Sequence, residues 1–266
     1  LKQVTLRDQW GKVNFYLFPF MKPGYVRPLL KAEGAEYQDT YDGAFRAMLE
    51  RETIDTSERN VILCHQFFVS SSGMPETCES ETAVITAGGL DAIESSVLDM
   101  FDYAALGHIH GPQKTGREAV RYCGSPYKYS VSEEHHKKSV VMAELTKKGE
   151  PLTLTFLPLS GIQDVRSVRG TLQEVLNQAE EPSCHDFVKI TLTDEKEPAY
   201  FRGQLRERYD HILEIRIDNR RTRESLKEER EPMSVLSPME AFRHFFAVVQ
   251  KSEMTQEEEE LMEQII

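Results

Sequence analysis

Residues 103–111 read Tyr103-Ala104-Ala105-Leu106-Gly107-His108-Ile109-His110-Gly111, a short apolar run closing on a His-x-His between glycines. Its length and apolar character suit a buried strand. Side chains alternate along an extended segment with period two, so His108 and His110 point toward one face. Two imidazoles placed this way can bind one metal ion, or one ion each of an adjacent pair. Gly107 and Gly111 give the backbone room to turn the rings into a cleft.

A second run ends the same way: Asn60-Val61-Ile62-Leu63-Cys64-His65-Gln66. Its length and β-branched content suit a buried strand, such as one in a sandwich core. Functional groups in layered α/β proteins gather at strand ends. His65, His108 and His110 are therefore the candidate metal ligands. Neutral imidazoles suit Mn, Fe or Zn better than Ca or Mg, which prefer oxygen. A hydrolytic metal pair would also need carboxylates. Asp91, Asp102 and Glu133 are candidates, but none stands at a ligand spacing, and Asp102 is expected to cap or pair structurally. His135-His136 follows Glu133-Glu134 and precedes Lys137-Lys138. This reads as an exposed charged loop, with contact to substrate phosphates through Lys137 and Lys138 as the alternative. His185, His211 and His244 have no partner at ligand spacing and read as structural.

Working outward, Val13–Pro19 reads as a buried strand closed by Pro23-Gly24, and Thr40–Arg51 as an amphipathic helix. Val120–Tyr122, Ser139–Leu145 and Leu152–Leu157 continue the strand-rich pattern, punctuated by a turn at Gly124-Ser125-Pro126. After about Pro158 the rhythm changes. Strands at Val165–Val168, Phe187–Leu192 and Ile212–Ile217 alternate with helices at Thr171–Gln178 and Ala199–Tyr209, a β-α-β-α-β unit. A charged stretch follows and reads as a solvated linker. Two short amphipathic helices close the chain. They are too short to bury their apolar faces on each other alone, so they dock on the body or on another protein. The domain reading is thus 1–160 body, 161–218 small domain, 219–236 linker and 237–266 helical tail.

The 266 residues are 39% hydrophobic and 29% charged, which fits a globular chain able to bury a core. No apolar run approaches the roughly 20 residues that cross a bilayer. Leu1-Lys2-Gln3 lacks a signal-peptide pattern. The net charge of −12 weighs against a stand-alone nucleic-acid binder. Divalent metals and a basic partner could supply the missing positive charge. Cys64, Cys78, Cys123 and Cys184 form no Cys-x-x-Cys pair, which weighs against a thiolate zinc site. Cys64 and Cys123 are expected to be buried free thiols, and a reducing cytoplasm fits best.

The two histidine blocks, together with Arg121-Tyr-Cys-Gly-Ser-Pro126 and Ser132-Glu-Glu-His-His-Lys-Lys-Ser-Val140, resemble the bacterial SbcD nuclease subunits. These belong to the calcineurin-like metallophosphoesterases. The resemblance runs through nearly the whole chain. It implies an α/β (α+β) metallophosphoesterase-type β-sandwich with flanking helices, here incomplete, then a small capping domain and a C-terminal helical pair. It implies two Mn-type ions, with His65 and His108 on one and His110 on the other. Ser125, Lys137 and Lys138 become substrate-contact candidates. Phe242, Phe245, Phe246, Leu261 and Ile265 become candidates for docking an SbcC-type coiled-coil ATPase.

The implied activity is two-metal hydrolysis of DNA phosphodiesters in repair, recombination and replication. It would be ATP-dependent exonuclease action on double strands and endonuclease action on single strands. The implied assembly is a homodimer within a heterotetramer, with no membrane association. The family's Asp-x-His, bridging Asp and Gly-Asn-His-Asp motifs do not occur in this sequence. The chain therefore reads as an N-terminally truncated member. Its general acid is expected upstream of Leu1, and alone it is expected to bind Mn weakly and not to cut DNA. A phosphoesterase acting on small substrates and a non-catalytic interaction fragment are the competing readings.

Overall fold

The structure is a computed structural model describing residues 2–34, 38–71, 73–81, 92–161, 163–223, 238–250 and 252–263. The first part comprises β1 (Lys2–Asp8), β2 (Gly11–Phe18), α1 (Pro23–Ala32), α2 (Tyr41–Leu49), β3 (Arg59–His65), β4 (Phe68–Val69) and β5 (Ile93–Glu94). It continues with β6 (Tyr103–Gly107), β7 (Gln113–Thr115), β8 (Arg117–Tyr122), β9 (Ser139–Glu144) and β10 (Thr153–Pro158). Then come β11 (Val165–Gly170), α3 (Leu172–Asn177), β12 (Phe187–Leu192), α4 (Phe201–Arg206) and β13 (His211–Ile217). The helices α5 (Pro238–Gln250) and α6 (Gln256–Glu263) follow. The architecture is mixed α/β.

The main sheet has six strands in the order β1-β2-β3-β6-β8-β7. Its inner four are mutually parallel, and β1 and β7 close the edges antiparallel. Strand β3 shows why its sequence is almost uniformly apolar. Ile62 and Cys64 join the core formed with Leu30 of α1 and Phe45 and Met48 of α2. Val61 points the other way, with Val13 and Tyr103, against Val141, Ala143 and Leu154 of the β9–β10 hairpin. The first half of the strand is covered on both faces and cannot alternate apolar with polar, whereas Leu63 further along is exposed. Burying each such side chain contributes about 1.5–3 kcal/mol.

Charged and polar groups pin the end of the sheet opposite the histidines. Arg59, 2% exposed, donates to Asp8 and to the carbonyls of Gly11 and Leu145. Asp102 accepts the Asn60 N–H at 2.7 Å and pairs with Lys148 at 2.8 Å, so its role is structural.

Two elements go beyond the sequence reading: β1, and α1, whose Val26 and Leu30 fall at helical spacing on its buried side. The first forms a hairpin with β2 in register from Lys2↔Leu17 to Asp8↔Gly11, and as an edge it is largely exposed, so no apolar period distinguishes it. Strand β2 ends at Phe18, and Pro23, expected to close that strand, instead starts a helix, where its missing N–H is harmless. Cys64 is buried as expected, but Cys123 is exposed. It lies one residue beyond β8, out of phase with the inward-facing Val120 and Tyr122.

The β-α-β-α-β unit forms a separate three-stranded sheet, β11-β12-β13, parallel throughout. Val168, Val188, Ile190, Leu192 and Leu205 build its core. Thr171 caps α3 through a reciprocal box with Glu174. In the expected linker, Asn219 is buried and caps a helical turn through Thr222, because its amide can satisfy the turn's free N–H groups. Residues 224–236 lie outside the described residues. Helix α5 buries none of its side chains, and Arg243 ties it to Glu259 of α6 at 2.7 Å. Among the described residues, no helix is long and apolar enough to cross a membrane.

Candidate metal centre

His65 is the last residue of β3, and its register partner on β6 is Gly107. That places His65 beside the start of the His-x-His at the carboxyl ends of two adjacent parallel strands, where open α/β sheets gather ligands. The His65 and His108 rings meet edge to face with centroids 5.4 Å apart. Phe20 stacks on His108 at 6.2 Å and meets His65 edge-on at 6.1 Å, walling one side of the pair.

Two backbone features allow this approach. A β-carbon on Gly107 would lie 2.7 Å from His65 Nδ1, so only glycine leaves the ring its place. His108 has φ of +105°, a region that L side chains rarely adopt. Such an outlier persists only where its surroundings enforce it, and here Ile109 is buried immediately after it. Burial, followed by the charge of neighbouring histidines, lowers the pKa of both His65 and His108. Both rings are thereby biased toward the neutral form that can donate a lone pair.

His110 is held by a different set of groups. Its backbone N–H donates to Glu81 Oε1 at 2.5 Å. Its Nδ1 lies 2.9 Å from Ser80 Oγ and 3.3 Å from Glu133 Oε1. Glu133 is wholly buried and receives Lys138 Nζ at 2.5 Å. The same ammonium donates to Ser125 Oγ at 2.8 Å and to the His110 carbonyl at 3.0 Å. Burial raises the pKa of Glu133, but the hydrogen bonds it receives from Lys138, Ser80 and His110 outweigh this and bring it to about 2. A histidine oriented through Nδ1 by a carboxylate is the arrangement that presents Nε2 to a metal. Cys78, His110 and Glu133 also bring potential ligand atoms within 4.8 Å of one another.

A cavity of about 430 Å3 joins these groups, lined by His65, Glu81, His108, His110 and Ser125 among others. The donor set mixes imidazole nitrogen with carboxylate oxygen, which fits a first-row divalent ion such as Mn, Fe or Zn.

The expected exposed loop around residues 133–138 is only partly so. His135 and Lys137 are exposed, whereas Glu133 and Lys138 are buried. Lys138 and Ser125 face each other beneath His110 rather than solvent, because the buried Glu133 carboxylate needs a cation and donors. Asp91 and Ile265 lie outside the described residues. Phe242, Phe245, Phe246 and Leu261 sit on α5 and α6, with Phe242 ring-paired to Phe245 and Phe246. Ser80, Glu81 and Cys78 were not legible as site residues. They lie in a polar loop with no periodic pattern, and only the fold brings them to His110.

Comparison with known proteins adds two findings. Residues 162–250 match the family model SbcD_C, described as the type 5 capsule protein repressor C-terminal domain. The SbcD subunit of nuclease SbcCD from Staphylococcus epidermidis is 26% identical over 168 residues, 62% of this chain and 42% of that protein. The chain is SbcD-like. The same subunit from Staphylococcus saprophyticus is 26% identical over 179 residues, 66% of this chain and 44% of that protein. This SbcD-like chain therefore aligns with under half the length of the relatives it matches. The family-model match spans the three-stranded parallel sheet and α5.

Proposed function

We propose that this chain is part of the nuclease subunit of an SbcCD-type complex and contributes to metal-dependent hydrolysis of DNA phosphodiesters. One observation carries the reading: His65, His108 and His110 open onto one cavity at the carboxyl ends of β3 and β6. His65 and His108 would hold one divalent ion and His110 an adjacent one, with Mn as the favoured metal. When bound, such ions supply a nucleophilic hydroxide and offset charge on the phosphate.

The chain's own residues do the positioning. Glu133 and Ser80 fix the His110 ring, Lys138 keeps Glu133 charged, and Phe20 packs against the His65 and His108 rings. Lys137, which is exposed, remains the proposed phosphate contact. Ser125 and Lys138 act one layer deeper, on Glu133.

The reading extends to organisation. Residues 1–160 form the C-terminal part of a metallophosphoesterase sandwich and 161–218 a capping domain that shapes substrate access. Residues 237–266 form the docking tail for an SbcC-type ATPase. The exposed aromatic face of α5 favours this over a free-standing phosphatase, which needs no such tail. The relatives' names, each a component of nuclease SbcCD, support it.

The test uses the complete gene product. His110→Ala should reduce Mn-dependent DNA cleavage at least 100-fold, as expected when a catalytic metal loses a ligand, with binding to the ATPase partner unchanged. Cleavage at the unaltered rate would remove His110 from the site and the reading with it.

A further inference from the structure

A second group of metal-ligating side chains belongs to the three-stranded-sheet unit and shares no residue with the histidine cavity. Residues 180–186 turn between α3 and β12, and Asp210 stands just before β13. Backbone hydrogen bonds pin the turn. The Cys184 N–H donates to the Glu180 carbonyl at 3.0 Å, and the Asp210 N–H to the Cys184 carbonyl at 3.1 Å. Arg166 of β11 donates to the Ser183 carbonyl at 2.9 Å. On this turn Glu181, Cys184 and His185 stand at positions i, i+3 and i+4, which share one side of a helical turn. Their ligand atoms are a carboxylate oxygen, a thiol sulfur and an imidazole nitrogen, and all lie within 4.8 Å of one another. His185 Nε2 is 2.9 Å from Glu181 Oε2, and its Nδ1 is 2.6 Å from Asp210 Oδ2.

Two carboxylates around His185 make an ion pair by themselves. The half-buried Cys184 thiol converging on the same point is what an ion pair does not call for. Thiolate with imidazole is a donor set that favours zinc over Ca, Mg or Mn. Zinc bonds of about 2.0–2.3 Å set tetrahedral ligands roughly 3.3–3.8 Å apart, within the spread of this group. Asp210 completes the pattern, because a carboxylate on Nδ1 fixes the tautomer and turns Nε2 to the metal. We propose that Glu181, Cys184 and His185 bind a zinc ion, with Asp210 orienting His185 and water at the fourth position. On binding, the ion takes the place of the thiol proton and of any proton on Nε2, and these leave to solvent. Through Asp210 the ion braces the turn before β12 against the start of β13. The site needs one thiolate rather than a Cys-x-x-Cys pair, and Asp210 reaches it only through the fold.

The test titrates the full chain, stripped with EDTA and freed of it, with Co2+ as a spectroscopic stand-in and with Zn2+ against a chromophoric chelator. Bound Co2+ should show a thiolate-to-cobalt charge-transfer band that Zn2+ displaces. Imidazole and carboxylate ligands at the histidine cavity cannot give that signal. Cys184→Ser should remove the band, whereas Cys78→Ser and Cys123→Ser should keep it. Asp210→Asn should lower zinc affinity about 10- to 100-fold while keeping the band at saturating Co2+. Glu181→Gln alters an exposed side chain, so it should weaken zinc binding by about tenfold or more with circular dichroism unchanged. No band from a natively folded chain would overturn the proposal, as would a band that survives Cys184→Ser. Loss of the band in Cys78→Ser would overturn it too, since the thiolate would then be the one beside His110. So would zinc affinity unaltered in both Asp210→Asn and Glu181→Gln, which would leave His185 in an ion pair only.

Discussion

His65 Nδ1 lies 2.7 Å from the point where a β-carbon on Gly107 would stand. The two residues are register partners on adjacent parallel strands, so the ring rests over bare backbone. Gly107→Ala should push the ring aside while leaving the sheet paired. Mn affinity, read by isothermal titration on the complete gene product, should fall about 10- to 100-fold, as for loss of a supporting group around a metal ligand. Unchanged affinity would mean that the ring position does not matter for metal.

His108 has a positive φ, which costs a residue with a β-carbon on the order of 1–3 kcal/mol. His108→Gly should therefore be about 1 kcal/mol more stable than His108→Ala in urea unfolding, since glycine tolerates this conformation. Identical midpoints would show that the backbone relaxes and stores nothing.

Glu133 and Lys138 form a buried ion pair beneath His110. Removing one partner leaves the other buried and uncompensated, at a cost of about 3–5 kcal/mol. Glu133→Gln and Lys138→Met should each destabilise by that order, and the double variant by clearly less than their sum. Additive losses would mean that the two groups act independently.

The same carboxylate sets an acid limit. Its folded pKa is about 2, below the ordinary 4.5. The unfolded chain thus binds the proton more readily across that window, and stability falls as pH drops from 4.5 toward 2. Above 4.5 the contribution is fully present. In Glu133→Gln, urea midpoints should decline less steeply through this window than in the parent. Parallel declines would place the acid sensitivity elsewhere.

Much of the fold was legible from periodicity. The strand over Phe187–Leu192 is found as read, and Thr40 and Thr171 cap the helices expected after them. These signals are local: a burial period or a capping side chain. The exposed edge strand β1 had no such period, and α1 lay hidden behind a proline read only as a stop.

By itself, the sequence determined that three histidines stand at the ends of two apolar strands and that the flanking blocks are SbcD-like. Strand alternation and length suffice for that. Only the tertiary structure decided which carboxylates serve them. Glu133 stands 23 residues beyond His110 and Glu81 29 before it, yet both touch it. Lys138, which in sequence belongs to a charged loop, is drawn inside because a buried carboxylate must be neutralised. Such pairings follow from where the chain returns, which no local period encodes.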